Sequence, residues 1–423
     1  MLLYSIEKSV ELLNETMMKT KLVLLLGAFV LLASCNNDES TSIEVKERKD
    51  IVLSRAEEQL ANENSEFAFR LFQQVNNSEK KSNWMISPFS TSMALGMMAN
   101  GAAANTLEEM KAILGFSNFD LDGMNAFYKK LMTELLDLDN TTRLGIANSI
   151  WIKEGLPINE VFVKTNQDIY DAEVNSLNFS SSDAKNIINN WCAVKTNNAI
   201  KNVSSYFSAN VRFLLINALH FKGIWKKQFK KANTKKETFT NADGTNSEVL
   251  MMNQTDNFLY ANYEDFDVAE FQYGNASFSM VIILPNESKN LDESLKSLTY
   301  VNWEEWEKRS SSRKLQVKLP RFGINYEKEM IEDMQALGMK EAFEENADFS
   351  SMSSENLPLN SLKQFTSLEV NEEGTEAAAT TIIGSDTNIA PQNYNFYVNR
   401  PFAFMIKEQS TGTILFMGKV TKL

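Results

Sequence analysis

The segment from Ser367 to Asn388 most constrains the fold of this chain, because it can form either a loop or a strand. Its first residues, as far as Val370, are apolar or β-compatible and predict a strand. After Gly374 comes a run of small residues, rich in Ala and Thr, without an aromatic residue or a proline. Such a composition normally favours a helix, so the conformation of this run has to be decided by another pattern.

That pattern is an alternation of charge. One set of alternate positions carries no charge: Thr375, Ala377, Ala379, Thr381, Ile383 and Ser385. The other set holds Glu376 and Asp386, the only charged residues between Thr375 and Thr387. Because alternate side chains of a strand point to opposite faces, a strand here would present small uncharged residues to a core and both carboxylates to water. The pattern is typical of a loop that can become a central strand.

Five motifs give a family resemblance. NEEGTEAAAT, residues 371–380, resembles the hinge of the reactive-centre loop of serpins. Four further segments are similar to serpin motifs: 83–110, 215–229, 314–343 and 398–420. The motifs follow the order of the family and cover residues 51–423. The resemblance implies an α+β serpin fold with three β-sheets, a helical bundle and an exposed reactive-centre loop.

The resemblance implies a protease inhibitor and not an enzyme. A target protease would attack the loop, and the cleaved loop would enter a sheet as a new strand while joined to the protease as an acyl-enzyme. The hinge residues implied by the match are Glu372, Gly374, Thr375, Glu376, Ala377, Ala378 and Ala379. The alternative is a non-inhibitory serpin that acts as a binding or carrier module. Such members commonly lose the hinge pattern by placing bulky, charged or proline residues there, whereas this chain keeps Glu372, Gly374, Thr375 and the alanine run.

Family spacing from the hinge places the reactive bond between Asn388 and Ile389. Neighbouring bonds are alternatives, and they involve Thr387 and Ala390. No Lys or Arg occurs from the hinge to Asn399, and the pocket of a trypsin-like protease needs a cation. The expected partner is therefore an elastase-like or subtilisin-like serine protease, or a papain-like cysteine protease.

The resemblance also implies residues that control opening of the sheet. Four residues match the shutter beneath the central strands: Ser87, Ser90, Asn217 and Gln364. Trp225 matches the breach at the top of the sheet, where insertion begins. Helix capping by the serines and a core role for the tryptophan are the alternatives. The family often has a histidine where this chain has Gln364, and Gln does not titrate. We therefore expect no histidine-linked pH response in the shutter.

The N-terminus carries a candidate export signal. Lys19 and Lys21 precede an apolar run at 22–32 that is short for a membrane span. The LASC that follows resembles a bacterial lipobox, in which the signal is cut before Cys35 and this cysteine receives lipid. An uncleaved anchor helix is the alternative.

Three parts of the chain follow from these patterns. Residues 1–35 form the signal region, with Met17 or Met18 as the true start. Residues 36–50 are polar and predict a disordered tether. Residues 51–423 form a single domain, because no linker divides them. The resemblance implies an exported protein, lipid-anchored to the outer membrane, on the cell surface or in the periplasm; we expect a monomer that touches the membrane only through the lipid.

Charge and missing motifs argue against other functions. The formal net charge of −13 argues against a nucleic-acid partner. His220, the single histidine, lies in an apolar strand-like run, and no G-x-S-x-G motif supplies a nucleophile. No motif for a cofactor or a metal is present, so neither is expected. Cys192 is predicted to be a small buried helix residue.

A lysine cluster stands out in this acidic protein. Its members are Lys222, Lys226, Lys227, Lys230, Lys231, Lys235 and Lys236. It could bind a polyanion such as a glycosaminoglycan, but a solvated lysine run along a strand edge is favoured.

Apolar periodicity predicts helices and strands along the domain. The predicted helices are 66–75, 90–98 with Ser90 as N-cap, and 106–114 starting at Asn105 or Thr106. The predicted strands are 144–152, 213–221, 278–284, 315–319 and 413–417.

Overall fold

Apolar runs of the sequence form strands and amphipathic runs form helices throughout the computed structural model, which describes residues 44–201, 211–355, 357–374 and 394–423. The α-helices in this part are α1 (Arg55–Ser78), α2 (Pro88–Ala99), α3 (Ala104–Ile113), α4 (Leu121–Leu135), α5 (Glu160–Tyr170), α6 (Ala184–Lys195), α7 (Leu291–Leu295), α8 (Tyr300–Arg309) and α9 (Ile331–Leu337). Short 3-10 helices are Lys231–Asn233 and Glu341–Phe343.

The strands are named here in chain order. They are β1 (Asn83–Ile86), β2 (Thr142–Lys153), β3 (Glu173–Leu177), β4 (Phe213–Gly223), β5 (Lys235–Thr240), β6 (Asn246–Asn262), β7 (Phe266–Gln272), β8 (Phe278–Pro285), β9 (Ser311–Pro320), β10 (Phe322–Glu329), β11 (Leu362–Val370), β12 (Tyr394–Tyr397), β13 (Phe402–Glu408) and β14 (Ile414–Val420).

One sheet has five strands in the order β10-β11-β4-β2-β3. Its central strand, β4, is apolar along most of its length and almost wholly buried. This is expected of a strand that is covered on both faces. The main core packs on one face of β4, and a smaller cluster beneath α6 packs on the other.

The other nine strands are joined through the long strand β6. Its beginning pairs with β5, its middle with β9, and its end with β7. β6 is therefore shared by two sheets, one formed with β5, β9 and β12 and one formed with β7, β8, β13, β14 and β1. The three sheets with their helices confirm the predicted α+β fold.

Helix α2 lies in the core of the domain. All of its twelve residues are buried, so it has no polar face turned to solvent. It begins at Pro88, directly after Ser87, whose hydroxyl accepts a hydrogen bond from the Ser90 amide. Proline at the first helical position has a backbone angle that suits a helix start. The predicted N-cap at Ser90 was therefore wrong, and Ser87 is the cap.

The strand predictions are confirmed, but the starts of two further helices differ from the prediction. Helix α1, predicted over 66–75, begins at Arg55, where Ser54 is the N-cap in a capping box with Glu57. Helix α3 begins at Ala104, with Ala103 as an N-cap that makes no side-chain hydrogen bond. Asn105 and Thr106, the predicted starts, use their side chains to contact Glu341 instead. Tertiary contacts thus recruit the two polar groups that suggested a cap.

Residues 44–50 lie against the domain, although the sequence placed them in a tether. Lys46 forms an ion pair of 2.8 Å with Asp137, and its amide donates to the Asn140 side chain at 2.9 Å. Arg48 donates to the carbonyl oxygen of Ala276 at 3.2 Å. The compact unit runs from Glu44 to the C-terminus, so the predicted domain boundary at residue 51 moves to residue 44. No helix in the described residues is long and apolar enough to cross a bilayer.

Candidate functional site

Two of the three inner strands of the five-stranded sheet, β4 and β11, pair directly with each other. They run parallel over six residue pairs, from Leu362 opposite Leu215 to Ser367 opposite His220. Each is antiparallel to its other neighbour, β2 or β10. Parallel pairing is slightly less stable per residue than antiparallel pairing. An antiparallel strand placed between β4 and β11 would complete the alternation of directions.

A cavity of about 820 Å³ lies at the end of this pair. The paired stretch ends at Ser367 and His220, although β11 continues to Val370 and β4 to Gly223. Side chains from both strands, from β10 and from the segment after β11 line the cavity. The sheet is thus already open at the end from which the reactive loop departs.

Gln364 connects the predicted shutter residues across the sheet and α2. Its side-chain oxygen accepts from the Ser87 amide at 2.8 Å. Its side-chain nitrogen donates to the Ser87 carbonyl oxygen at 2.7 Å and to the Thr91 hydroxyl at 2.9 Å. These residues are buried. The helix start and β11 are therefore linked by three hydrogen bonds, which an inserted strand would have to leave intact or replace.

Asn217 lies opposite Gln364 in the parallel register. On its other side it faces Asn148 of β2, and its side-chain nitrogen donates to the side-chain oxygen of Asn148 at 2.5 Å. Within the described part of the chain, the Asn217 side-chain oxygen and the Ser90 hydroxyl are buried without a hydrogen-bond partner. Ser87, Gln364 and Asn217 thus lie close together and Ser90 follows in the first turn of α2, while Ser90 and Asn217 keep unused hydrogen-bonding capacity.

Trp225 supports the start of the hinge. Its ring stacks on Tyr273 at a centroid distance of 4.3 Å, and its indole N–H donates to the carbonyl oxygen of Asn371 at 2.8 Å. Its amide donates to the carbonyl oxygen of Glu373 at 2.9 Å. Trp225 is therefore a buried aromatic residue that also binds the backbone at the start of the hinge, and its role in the breach stays a prediction.

Glu372 anchors the hinge base. Its carboxylate, 1% exposed, accepts from Arg321 at 2.6 and 2.9 Å and from the Thr234 hydroxyl at 2.5 Å. Burial alone would raise the pKa of this carboxyl, but the hydrogen bonds from Arg321 and Thr234 outweigh it and lower the pKa. The neighbouring Glu373 forms an ion pair with Lys231 at 2.5 Å.

The backbone conformation and close contacts at position 374 require glycine. Its φ of +119° lies in the region that residues with a side chain rarely adopt. A Cβ at this position would lie 2.2 Å from the carbonyl oxygen of Gly223 and 2.6 Å from the amide nitrogen of Trp225. The hinge therefore crosses the end of β4 at a distance that only glycine permits.

The lysine cluster is partly neutralised. Three of its members form ion pairs: Lys227 with Asp256, Lys231 with Glu373, and Lys236 with Glu248. Lys226, Lys230 and Lys235 are exposed. Of the three paired lysines, only Lys231 contacts the hinge base in the described residues, through Glu373.

His220 and Cys192 occupy structural positions. His220 is half-buried on β4, between Gly145 of β2 and Ser367 of β11. Cys192 is a free, buried residue of α6, as predicted, and burial raises the pKa of its thiol to about 12. Among the described residues, no group of three or more His, Cys, Asp or Glu is placed to hold a metal ion.

Several predicted site residues lie outside the described residues. They are Cys35, Thr375, Glu376, Ala377, Ala378, Ala379, Thr387, Asn388, Ile389 and Ala390. Sequence reasoning missed Arg321, Thr234 and Asn148. Arg321 lies within the serpin-like segment 314–343, where a lone cation beside a strand end was the available signal. The sequence carried no signal for Thr234 or Asn148.

Comparison with known proteins identifies the family. Residues 62–423 match the profile described as Serpin (serine protease inhibitor). The chain belongs to the serpin family. Neuroserpin of Gallus gallus is 34% identical over 371 residues, which cover 84% of this serpin and 90% of the relative.

Solved structures agree with this assignment. The native state of tengpin, a thermophilic serpin, has a TM-score of 0.80 at 30% identity and covers 91% of this serpin and 99% of that chain. Human thyroxine-binding globulin, solved in complex with thyroxine, has a TM-score of 0.81 at 25% identity and covers 87% and 99%. Serpins are generally protease inhibitors rather than catalysts.

Proposed function

We propose that this serpin is a suicide-type inhibitor, which traps a target protease by inserting its cleaved loop between β4 and β11. The observation that carries the proposal is the direct parallel pairing of these two strands, each antiparallel to its other neighbour. Insertion of an antiparallel strand replaces one ladder of six residue pairs by two ladders. Each backbone hydrogen bond gained contributes on the order of 1 kcal/mol, so the inserted form is the more stable one.

The register of the hinge supports the same proposal. Ile224 and Gly374 form an antiparallel bridge. Continued along the chain, this register places Thr375 opposite Gly223 and Ala377 opposite Phe221. Directly opposite residues of an antiparallel pair share a face, and Phe221 is fully buried in the main core. The uncharged alternate residues of the loop would therefore enter the core, where only small side chains fit beside a large one.

The trapping step is an arrested acyl transfer. The hydroxyl of the protease serine attacks the carbonyl carbon of Asn388, and the bond to Ile389 breaks. The hydroxyl proton passes through the protease's own base to the new amine of Ile389. The loop remains joined to the protease by an ester, and insertion carries the protease away and distorts it before water attacks the ester. Thr387 and Ala390 mark the alternative bonds.

The loop composition supports a protease that accepts small or apolar residues. The cation that a trypsin-like pocket needs is missing between the hinge and Asn399. We therefore propose an elastase-like or subtilisin-like target, with a papain-like protease as the second class. We also propose that a monomeric serpin is exported as a bacterial lipoprotein, anchored through Cys35 to the outer membrane on the cell surface or the periplasmic side. The lipobox-like LASC supports this.

A carrier is the second candidate function. It is favoured by the similarity to thyroxine-binding globulin, a serpin solved with a small ligand. The hinge pattern from Glu372 through Ala379, with Gly374 at its start, supports the inhibitor instead.

Separate incubation of residues 44–423 with elastase, subtilisin, papain and trypsin tests the proposal. We expect a denaturant-stable adduct with elastase or subtilisin and a released fragment that begins at Ile389. With papain, residual activity is the measurement, because a thioester does not survive denaturation well. Cleavage of the loop with full protease activity retained would favour the carrier, and the strongest trapping by trypsin would contradict the proposed target class.

The variant Thr375→Arg sharpens this experiment. It places a charge on the inward face at the first residue to insert, so the serpin should be cleaved without trapping. Gln392→Arg is the matched control, because it adds the same charge beyond the reactive bond. Trapping by Thr375→Arg at the wild-type level would contradict insertion.

A further inference from the structure

We propose that two cations of the β4 segment, Arg212 and Lys222, are the docking partners of the two acidic residues of the reactive loop. This inference rests on the proposed function. The occupant of the β4 edge is the segment 375–388 of this same chain, and the two ion pairs select the register in which it inserts.

The register comes from the hinge. The antiparallel bridge between Ile224 and Gly374 and the hydrogen bond from the Trp225 amide to the Glu373 carbonyl oxygen belong to the same register. Continued toward the other end of β4, that register places Glu376 opposite Lys222 and Asp386 opposite Arg212. Both acids meet a cation because both pairs are spaced ten residues apart in the sequence.

Each of the two segments, the β4 segment and the loop, carries two charged residues. Between Val211 and Ile224, Arg212 and Lys222 are the only Lys, Arg, Asp or Glu residues. Between Thr375 and Thr387 of the loop, Glu376 and Asp386 are the only ones. The two segments are therefore complementary at both of their charged positions and uncharged at the others, with the single histidine of β4 opposite an alanine.

Burial along β4 agrees with this pairing. Of the four alternate residues between the two cations, Leu214, Ile216 and Ala218 are fully buried in the cluster beneath α6, and His220, next to Lys222, is half-buried. Arg212 and Lys222, at the ends of this stretch, are partly exposed. Loop residues opposite the buried stretch have to be uncharged, and the acids fall only where the face opens to water.

The Lys222 end carries an excess of positive charge. Arg143 lies directly opposite Lys222 on β2, and like charges in this position destabilise a sheet. Lys201 and Lys231 line the same cavity. Glu369 of β11 lies at the other edge of the cavity and Glu373 is already paired with Lys231. A carboxylate beside Lys222 would reduce the repulsion from Arg143.

The Arg212 end already holds one carboxylate. Arg212 forms an ion pair with Glu355 at 2.7 Å, and both side chains are about two-fifths exposed. A guanidinium has five donors in a fork and can bind a second carboxylate. The backbone of Arg212 is fixed by the Lys153 amide, which donates to its carbonyl oxygen at 2.7 Å.

The two ion pairs distinguish between registers that the alternation of small residues leaves equivalent. A slip by one residue moves every side chain to the other face and is rejected by the core. A slip by two residues keeps the small residues inward, but it moves both acids away from their cations. Charge matching at two points, ten residues apart, therefore selects one register among those that the core accepts.

Charge reversal with exchange tests the proposal. The variants are Lys222→Glu, Glu376→Lys and the double exchange, with Arg212→Glu, Asp386→Arg and their double exchange as an independent pair. Lys226→Glu is the matched control, because it reverses an exposed lysine of the same region outside the register. Two quantities are measured for each variant: the rise in melting temperature after loop cleavage, and the number of serpin molecules consumed per trapped protease.

We expect each single reversal to raise the number of serpin molecules consumed about two- to five-fold and to reduce the rise in melting temperature. Each double exchange should restore both quantities, and Lys226→Glu should leave them unchanged. Double exchanges that only combine the losses of the single reversals would overturn the proposal. If the wild-type protein itself neither traps a protease nor gains stability on cleavage, the proposed function fails, which is a separate outcome.

Discussion

The substitution Gln364→Met measures how much the hydrogen bonds between β11 and the start of α2 contribute to the stability of the native state. Gln364 is 4% exposed and makes three hydrogen bonds, of 2.7, 2.8 and 2.9 Å, to Ser87 and Thr91. Methionine has a similar volume, so the change removes the hydrogen bonds without opening a large cavity. Three bonds at a net 0.5–1.5 kcal/mol each give a loss of about 1.5–4.5 kcal/mol in the free energy of unfolding. The Ser87 amide, left buried without an acceptor, moves the expected loss toward the upper value.

Urea unfolding at neutral pH, followed by tryptophan fluorescence, is the assay. The midpoint should fall while the slope stays constant. Thr366→Val is the matched control, because it removes one hydrogen bond, from the Thr366 hydroxyl to the Met85 carbonyl oxygen at 2.8 Å, on the same strand. Its loss should be about a third of that for Gln364→Met. A Gln364→Met protein within about 0.5 kcal/mol of wild type would refute the view that these bonds stabilise the native state.

Three further predictions concern the hinge and the thiol. Gly374→Ala should destabilise the native state by at least about 2 kcal/mol, because of its φ of +119° and the contact with Gly223; an unchanged thermal midpoint would contradict this. Burial raises the pKa of Glu372, but Arg321 and other donors lower it further, so the stabilisation it gives is present above the ordinary carboxyl pKa of about 4.3 and is lost as the pH falls through the lower folded-state value. Glu372→Gln should therefore flatten the acid side of the stability curve, measured as urea midpoints. The Cys192 thiol, with a pKa raised to about 12, should resist alkylation at neutral pH until the protein is unfolded, and labelling of the native protein would count against this.

Much of the fold could be predicted because apolar runs and family motifs mark it directly. The central strand β4 was recognisable because its residues are apolar on both faces. The shutter residues Ser87, Asn217 and Gln364 were recognisable through motif matches, and the structure brings them together. The pairing of β4 with β11 was not predicted, since no local pattern specifies a partner that lies more than a hundred residues away.

Residues that act through tertiary contacts could not be predicted. Thr234 is an ordinary hydroxyl in a lysine-rich segment, and its contact with Glu372 depends on how the hinge crosses the end of β4. The cap of α2 was assigned one turn late, because Ser87 and Ser90 carry the same side chain and only Pro88 distinguishes the two starts. In each case the sequence shows which side chains can form a hydrogen bond, but the partner is determined by the tertiary structure.

The attachment of residues 44–50 has a mechanical consequence. Arg48 donates a hydrogen bond to the carbonyl oxygen of Ala276, in the turn between β7 and β8. The same turn contains Tyr273, whose ring stacks on Trp225. A pulling force applied at Glu44 would act first on the contacts with Asp137 and Asn140, and next, through Arg48, on the turn that supports the hinge. Tension on the N-terminus would thus weaken the support of the hinge, and the force needed to detach residues 44–50 would set the tension at which this happens.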